Sequence, residues 1–246
     1  MKISIITVCY NSAATLEQTI ESVISQTHPD TEYIIIDGAS KDNTAEIVSK
    51  YRDRISHFVS EPDKGIYDAM NKGLALATGE VIGILNSDDL YHDNGVLAWV
   101  ADAFDSDTDC LCTDIEIFDG SPDKVIRYYS CLKWKPWMFR IGHQPPHPGF
   151  FARKKCYDAA GNFDTQFRIA ADFDMMLRLI SVHAFKTKRT GRVTVSMRSG
   201  GESQRGFSAI AKANREDHRS LRKNGFFSWY PLIWLKYFIK IFQFLK

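Results

Sequence analysis

Val81-Ile82-Gly83-Ile84-Leu85-Asn86-Ser87-Asp88-Asp89 runs from five uncharged, mostly apolar residues straight into four polar ones. The apolar part lacks the alternation of a half-exposed strand. It reads as a strand buried on both faces, as in a parallel sheet covered by helices. Ile3-Ser4-Ile5-Ile6-Thr7-Val8 and Tyr33-Ile34-Ile35-Ile36 have the same character. Between these runs the apolar period changes. Leu16, Ile20, Val23 and Ile24 predict an amphipathic helix over 13–26, with Asn11 or Ser12 as its N-cap. Residues 44–51 and 66–77 predict two more helices, the second ended by Thr78-Gly79, and 57–59 a short strand. Strands alternating with helices specify a parallel sheet with helices on both faces. In such sheets ligands gather at the carboxyl edge of the strands. Thr7 to Asn11, Asp37 to Asp42 and Asn86 to Asp89 are therefore the segments to read for chemistry.

Farther along, a helix is expected over 97–104, and two strands over 109–118 and 124–129 joined by a turn at Gly120-Ser121-Pro122. Residues 131–149, rich in Trp, Pro and His, form no recognisable element. Phe150-Phe151 starts a strand, and helices are expected over 172–182 and 203–223.

The chain has 246 residues, 44% apolar and 25% charged, the profile of a soluble globular protein. The short apolar run after Met1-Lys2 is no signal sequence, so a cytoplasmic location is expected. Five cysteines, an odd number, fit a reduced compartment and structural thiols; Cys110 and Cys112 have no second pair with which to hold zinc. The net charge of +1 conceals an asymmetry: from Arg178 onward there are 15 Lys/Arg against 3 Asp/Glu, and before it 16 against 27. An acidic front suits a cation, and a basic rear suits an anionic partner. Recognised DNA- or RNA-binding motifs are absent from that rear, and no nucleic-acid partner is expected.

No glycine precedes Gly38, which excludes a G-x-G-x-x-G turn or a P-loop after the first strand. A bound diphosphate would need another means of neutralisation. Asn86-Ser87-Asp88-Asp89 reads either as a carboxylate cluster holding Mg²⁺ or Mn²⁺ or as an Asx-rich turn. Asp37 to Thr44 likewise has two readings. Asp37 can accept a hydrogen bond from a nucleobase, or the segment is a tight turn at Gly38 with Asp42 or Asn43 capping the next helix.

Four segments taken together are more specific. Residues 3–11, 34–44, 61–73 (Glu61-Pro62-Asp63-Lys64-Gly65-Ile66-Tyr67-Asp68-Ala69-Met70-Asn71-Lys72-Gly73) and 79–91 resemble the family 2 glycosyltransferases in order and spacing. The resemblance is strong over 1–105 and weaker to about 205. It implies an α/β GT-A fold, with a mostly parallel, Rossmann-like sheet flanked by helices, and inversion at the anomeric carbon. It places Thr7, Tyr10, Asn11 and Asp37 beside the donor's base, and Asp63 and Lys64 in the nucleotide pocket with Asn86 and Ser87. Asp88 matches the last carboxylate of the family's D-x-D motif, the metal ligand; Asn86 stands where the first Asp usually is. The family's E-D pair matches Ala171-Asp172, making Asp172 the catalytic base and leaving Ala171 in place of the Glu. Donor and acceptor halves then span 1–105 and 106–225, followed by a tail over 226–246. His143, His147 and Asp174 are candidate acceptor contacts, and the loop from Ser199 to Ser203, between Arg198 and Arg205, a candidate phosphate contact.

Two rivals remain open: a nucleotidyltransferase, and an inactive nucleotide- or glycan-binding module. The Q-x-x-R-W pattern of processive synthases is absent, so transfer of a single sugar is expected. In the tail, Lys236, Lys240, Gln243 and Lys246 draw a basic stripe along an otherwise apolar, aromatic helix. Such a helix suits the membrane interface, where a lipid-linked saccharide acceptor in cell-surface polysaccharide biosynthesis would lie within reach, or packing against protein.

Overall fold

The computed structural model describes residues 1–200 and 206–241. Its sheet has the order β3-β2-β1-β4-β8-β6-β9-β5, with β7 paired to β6. These strands are β1 (Ile3–Cys9), β2 (Thr31–Asp37), β3 (His57–Ser60), β4 (Val81–Ile84), β5 (Leu90–Tyr91), β6 (Cys110–Asp119), β7 (Ser121–Tyr129), β8 (Phe150–Arg153) and β9 (Thr187–Arg198). β1, β2, β3 and β4 are mutually parallel, and β6 and β9 point the same way through β8, which runs against both β4 and β6. β5 and β7 also run against their neighbours.

β1 shows why the apolar runs are continuous. Ile6 and Val8 join one buried cluster, with Tyr67, Met70 and Leu74, while Ile3, Ile5 and Cys9 join the other, with Leu16, Ile20 and Val23. The helices are α1 (Leu16–Ile24), α2 (Thr44–Lys50), α3 (Ile66–Leu76), α4 (Val96–Ala103), α5 (Lys154–Ala160), α6 (Ala171–Leu177), α7 (Phe207–Lys223) and α8 (Lys236–Ile241). α1 starts later than its periodicity suggests, after a turn over 13–15, and no side chain caps it. The helix expected to Val182 changes to a π-helical turn from Arg178.

β9 is the element the sequence conceals. Lys188, Arg189, Arg192 and Arg198 interrupt its apolar pattern, yet it pairs with β6 over twelve residues' length and carries Arg198 to the carboxyl edge. Because β8 opposes β4, it begins at that edge, so the irregular 143–148 segment before it arrives beside the loops of that edge. Residues 131–149 contain two 3₁₀ turns, Pro136–Ile141 and His147–Gly149.

The described part of the tail packs on the protein. A 3₁₀ turn (Tyr230–Leu235) buries Ile233, whose Cγ2 lies 2.8 Å from where a Cβ on Gly142 would stand. Lys236 is buried and paired with buried Asp217 at 2.6 Å. The expected basic stripe therefore faces inward at Lys236, because Asp217 on α7 compensates its charge. Gln243 and Lys246 lie outside the described residues. Among the described residues no helix is long and apolar enough to cross a membrane.

Candidate active site

Three loops meet at the carboxyl edge of β1, β2 and β4. Asn11 has positive φ (50°); its N–H donates to Ser40 Oγ at 2.8 Å and its side-chain oxygen accepts from the Lys41 N–H at 2.9 Å. Asp42 accepts from the N–H of Ala13 at 3.1 Å and of Thr44 at 3.1 Å, joining the first loop to the second. Asp37 is fully buried. Its carboxylate accepts from the Ser60 hydroxyl at 2.6 Å and from the hydroxyl and N–H of Ser40. Thr7 is buried too, its hydroxyl accepting from Tyr33 at 3.2 Å.

Gly38 does not take a left-handed φ; the positive φ in that loop belongs to Ala39 (60°). What Gly38 provides is room: a Cβ there would collide with Asp63 Oδ2 and stand 3.3 Å from the Tyr10 ring. Tyr10, Gly38 and Asp63 thus converge, with Tyr10 58% exposed. Asp63 also accepts from the Gly65 N–H at 2.8 Å, and the Lys64 N–H donates to Asp68 at 3.1 Å.

On the third loop, Ser87 and Ser12 share a hydroxyl hydrogen bond at 2.9 Å. Asn86 donates to Asp89 at 3.2 Å, and its own oxygen is buried with no partner among the described residues. Burial, and then the Asp88 charge, push the Asp89 carboxyl up to about 8, against the Arg198 N–H that donates to it at 3.1 Å. Asp88 itself is half-buried. Among the described residues no three His, Cys, Asp or Glu side chains converge as a metal cage. One carboxylate with a neighbouring orphaned amide oxygen does fit a Mg²⁺ or Mn²⁺ that takes its other ligands from phosphate and water.

The fourth component comes from far along the chain. Asp172, in the first turn of α6, is half-buried. Its Oδ1 accepts from Tyr67 at 3.2 Å and its Oδ2 from Gln144 Nε2 at 2.8 Å. Tyr67 lies in the first turn of α3, just after the Asp63–Gly65 turn, so Asp172 is tied to the carboxyl edge. Burial, then Asp172, raise the Tyr67 phenol well above its usual range. His147 lies in the same region: burial lowers its imidazole, and the Asp172 charge opposes that. His143 is buried, stacked on Tyr129 at 5.8 Å.

Asp174 is not brought to this cleft. It is fully buried, salt-bridged to Arg178 at 2.8 Å, and accepts from Ser220 at 2.8 Å and Asn224 at 3.0 Å. Two residues along a helix turn a side chain by roughly 200°, which points Asp174 at α7 when Asp172 faces the edge. Of the loop expected to meet phosphate, Ser199 to Ser203, only Ser199 and Gly200 are among the described residues. Tyr67 and Gln144 are absent from the residues singled out by sequence, although both lie in segments read as functional.

A model of glycosyl transferase family 2 matches residues 4–157. The chain belongs to that family. This glycosyltransferase is 30% identical over 181 residues to an uncharacterised glycosyltransferase of Mycobacterium tuberculosis (72% of this chain, 68% of the other). It is 28% identical over 204 residues to the PGL/p-HBAD biosynthesis glycosyltransferase of Mycobacterium bovis (80% and 77%). Solved structures with the same fold include residues 1–349 of Staphylococcus aureus TarS in complex with UDP, at TM-score 0.66 and 20% identity (90% of this chain, 65% of that one). Another is a mannosyltransferase of Pyrobaculum calidifontis in complex with GDP-Man and Mn²⁺, at TM-score 0.64 and 19% identity (89% and 64%). The glycosyltransferase spans only 40% of the longer TarS chain. Its fold is GT-A.

Proposed function

We propose that the protein transfers one sugar from a nucleotide-diphosphate sugar to an acceptor hydroxyl with inversion. The observation that carries this reading is the bond between Tyr67, next to the donor loops, and Asp172, which sets a carboxylate at the donor edge. The acceptor oxygen attacks the anomeric carbon as the bond to the diphosphate breaks, and Asp172 takes the acceptor's proton. Thr7, Tyr10, Asn11, Asp37, Asp63 and Lys64 frame the nucleotide. Asp88, with Asn86 and Ser87 beside it, would hold Mg²⁺ or Mn²⁺, which supplies charge neutralisation for the leaving diphosphate when bound. Asp89 is too deeply buried and too fully engaged to share that role.

A lipid-linked saccharide is the acceptor class we favour, with the protein peripheral on the inner face of the membrane, serving cell-surface polysaccharide biosynthesis. Supporting this, Phe227 and Trp229 are exposed just after the basic end of α7, where Arg219 and Arg222 are exposed as well. Exposed aromatic side chains beside cations suit an anionic lipid surface. Gln144, whose Oε1 is buried without a partner among the described residues, and His147 are the acceptor contacts best placed to meet a second sugar hydroxyl.

The test pairs two variants in an assay of UDP or GDP release from UDP-GlcNAc, UDP-glucose and GDP-mannose. Asp172→Asn keeps shape and removes the proton acceptor, so turnover falls ~10²–10⁴-fold at unchanged donor affinity. Asp88→Ala abolishes both transfer and the Mn²⁺ dependence of nucleotide binding. Full activity in either variant, or in EDTA, refutes that part of the assignment.

A further inference from the structure

An acidic residue directly before Asp172 could steer that side chain from its own helix, but position 171 is a fully buried alanine. The structure supplies a carboxylate at that turn from elsewhere. Glu216, on α7, places a single oxygen, Oε2, within reach of three consecutive backbone N–H groups: Arg168 at 3.0 Å, Ile169 at 2.8 Å and Ala170 at 3.0 Å. Successive N–H groups converging on one anion form a backbone nest, and charge-assisted bonds of this kind are the stronger sort. The nest fixes the peptide whose carbonyl, Ile169 O, accepts from the Tyr67 hydroxyl at 2.6 Å. The single proton of that hydroxyl is shared with Asp172 Oδ1 at 3.2 Å, the longer arm of a three-centre bond. Gln144 closes the other side, and since it must donate to a carboxylate, its amide orientation is set.

We propose that Tyr67, Gln144 and Glu216 are positioning residues for Asp172, Glu216 holding from α7 the turn that carries it. The inference rests on Asp172 being the base. Its physical content is twofold. Tyr67 and Gln144 hold the carboxylate in one orientation, one donor on each of its two oxygens. Glu216 holds the backbone from which that orientation is measured, and α7 secures the following turn through the Ser220 and Asn224 bonds to Asp174. One helix thereby anchors α6 from both ends of its first turn.

The experiment uses the full chain with Mn²⁺, scoring nucleoside diphosphate released from UDP-GlcNAc, UDP-glucose and GDP-mannose, with and without octyl glycosides as acceptors. Tyr67→Phe and Gln144→Leu should each lower kcat about tenfold or more at unchanged donor KM. In the Asp172→Asn background, Tyr67→Phe should cost less than about twofold, because its route of action is already gone. Glu216→Ala should lower kcat, and Glu216→Gln, which keeps an acceptor oxygen, should recover much of it. If Glu216→Ala does not fold, the Glu216→Gln and Tyr67→Phe results decide. Wild-type kcat in both Tyr67→Phe and Gln144→Leu, with Asp172→Asn inactive, overturns the positioning role alone. Full activity in Asp172→Asn overturns the base assignment instead.

Discussion

The two halves of the sheet hold their carboxylates in different ways. In the half we propose for the donor, residues 1–105, Asp37 is satisfied by Ser40, on the loop after β2, and by Ser60, the last residue of the adjacent parallel strand β3, within 23 residues of chain. In the half we propose for the acceptor, residues 106–225, Asp172 is held by residues 105 and 28 positions away, and its turn by Glu216, 46 to 48 positions away. Local chemistry builds the first arrangement and long-range packing the second. The donor half should then tolerate the loss of one long-range contact, while the acceptor half depends on a few distant partners with no local substitute.

The largest effect on stability is expected where the tail meets the acceptor half. Lys236→Met removes the ammonium paired with buried Asp217, and breaking a buried ion pair typically costs about 3–5 kcal/mol. The double variant Lys236→Met/Asp217→Leu should regain most of this, because an apolar pair of similar size removes both desolvated charges. Urea denaturation measures both. Equal losses in single and double variants would mean that packing at this seam, and not charge pairing, holds the tail.

The next effect sits at the opposite, amino edge of the donor half. Burial alone would raise the Glu32 carboxyl, but donation from Lys2, Ser4 and Thr78 outweighs burial and brings it down to about 2. A depressed carboxylate stabilises the fold above its unfolded pKa, and that contribution is lost as pH falls through the native value. Wild-type stability should therefore drop between about pH 4.5 and pH 2, by at most about 3 kcal/mol. Glu32→Gln should be less stable at neutral pH and flatter across that window. Parallel pH curves for the two proteins would show that other carboxylates govern acid unfolding.

The smallest effect tests the close approach inside the donor half itself. Gly38→Ala introduces a Cβ that collides with Asp63 and presses on Tyr10, an overpacking cost of about 1–3 kcal/mol. The signature is selective: titration with UDP and GDP should show weakened binding while the acceptor-side network is undisturbed. An affinity unchanged from wild type would mean that Asp63 yields freely and does not shape the pocket.

Much of the donor half was legible in the sequence because its determinants are periodic and local. Buried parallel strands need unbroken apolar runs, which residues 3–8, 33–36 and 81–85 provide, and the polar residues that end each run fall at the ligand-binding edge by topology alone. The acidic front and the absence of an early glycine loop could likewise be read from residues in order. Tertiary structure alone decided the rest. β9 carries four basic residues and shows its strand character only by pairing with β6. The segment over 131–149 has no periodicity, and its value lies in delivering Gln144 to Asp172 ahead of a strand that runs backwards. Lys236 belongs to an apparent surface stripe until Asp217 takes it inward. Glu216 is one more charge on a basic helix until three N–H groups meet it. A sequence pattern reports the face a residue turns to its own element, whereas a buried charge is retained only where a partner arrives from another, and nothing local encodes that arrival.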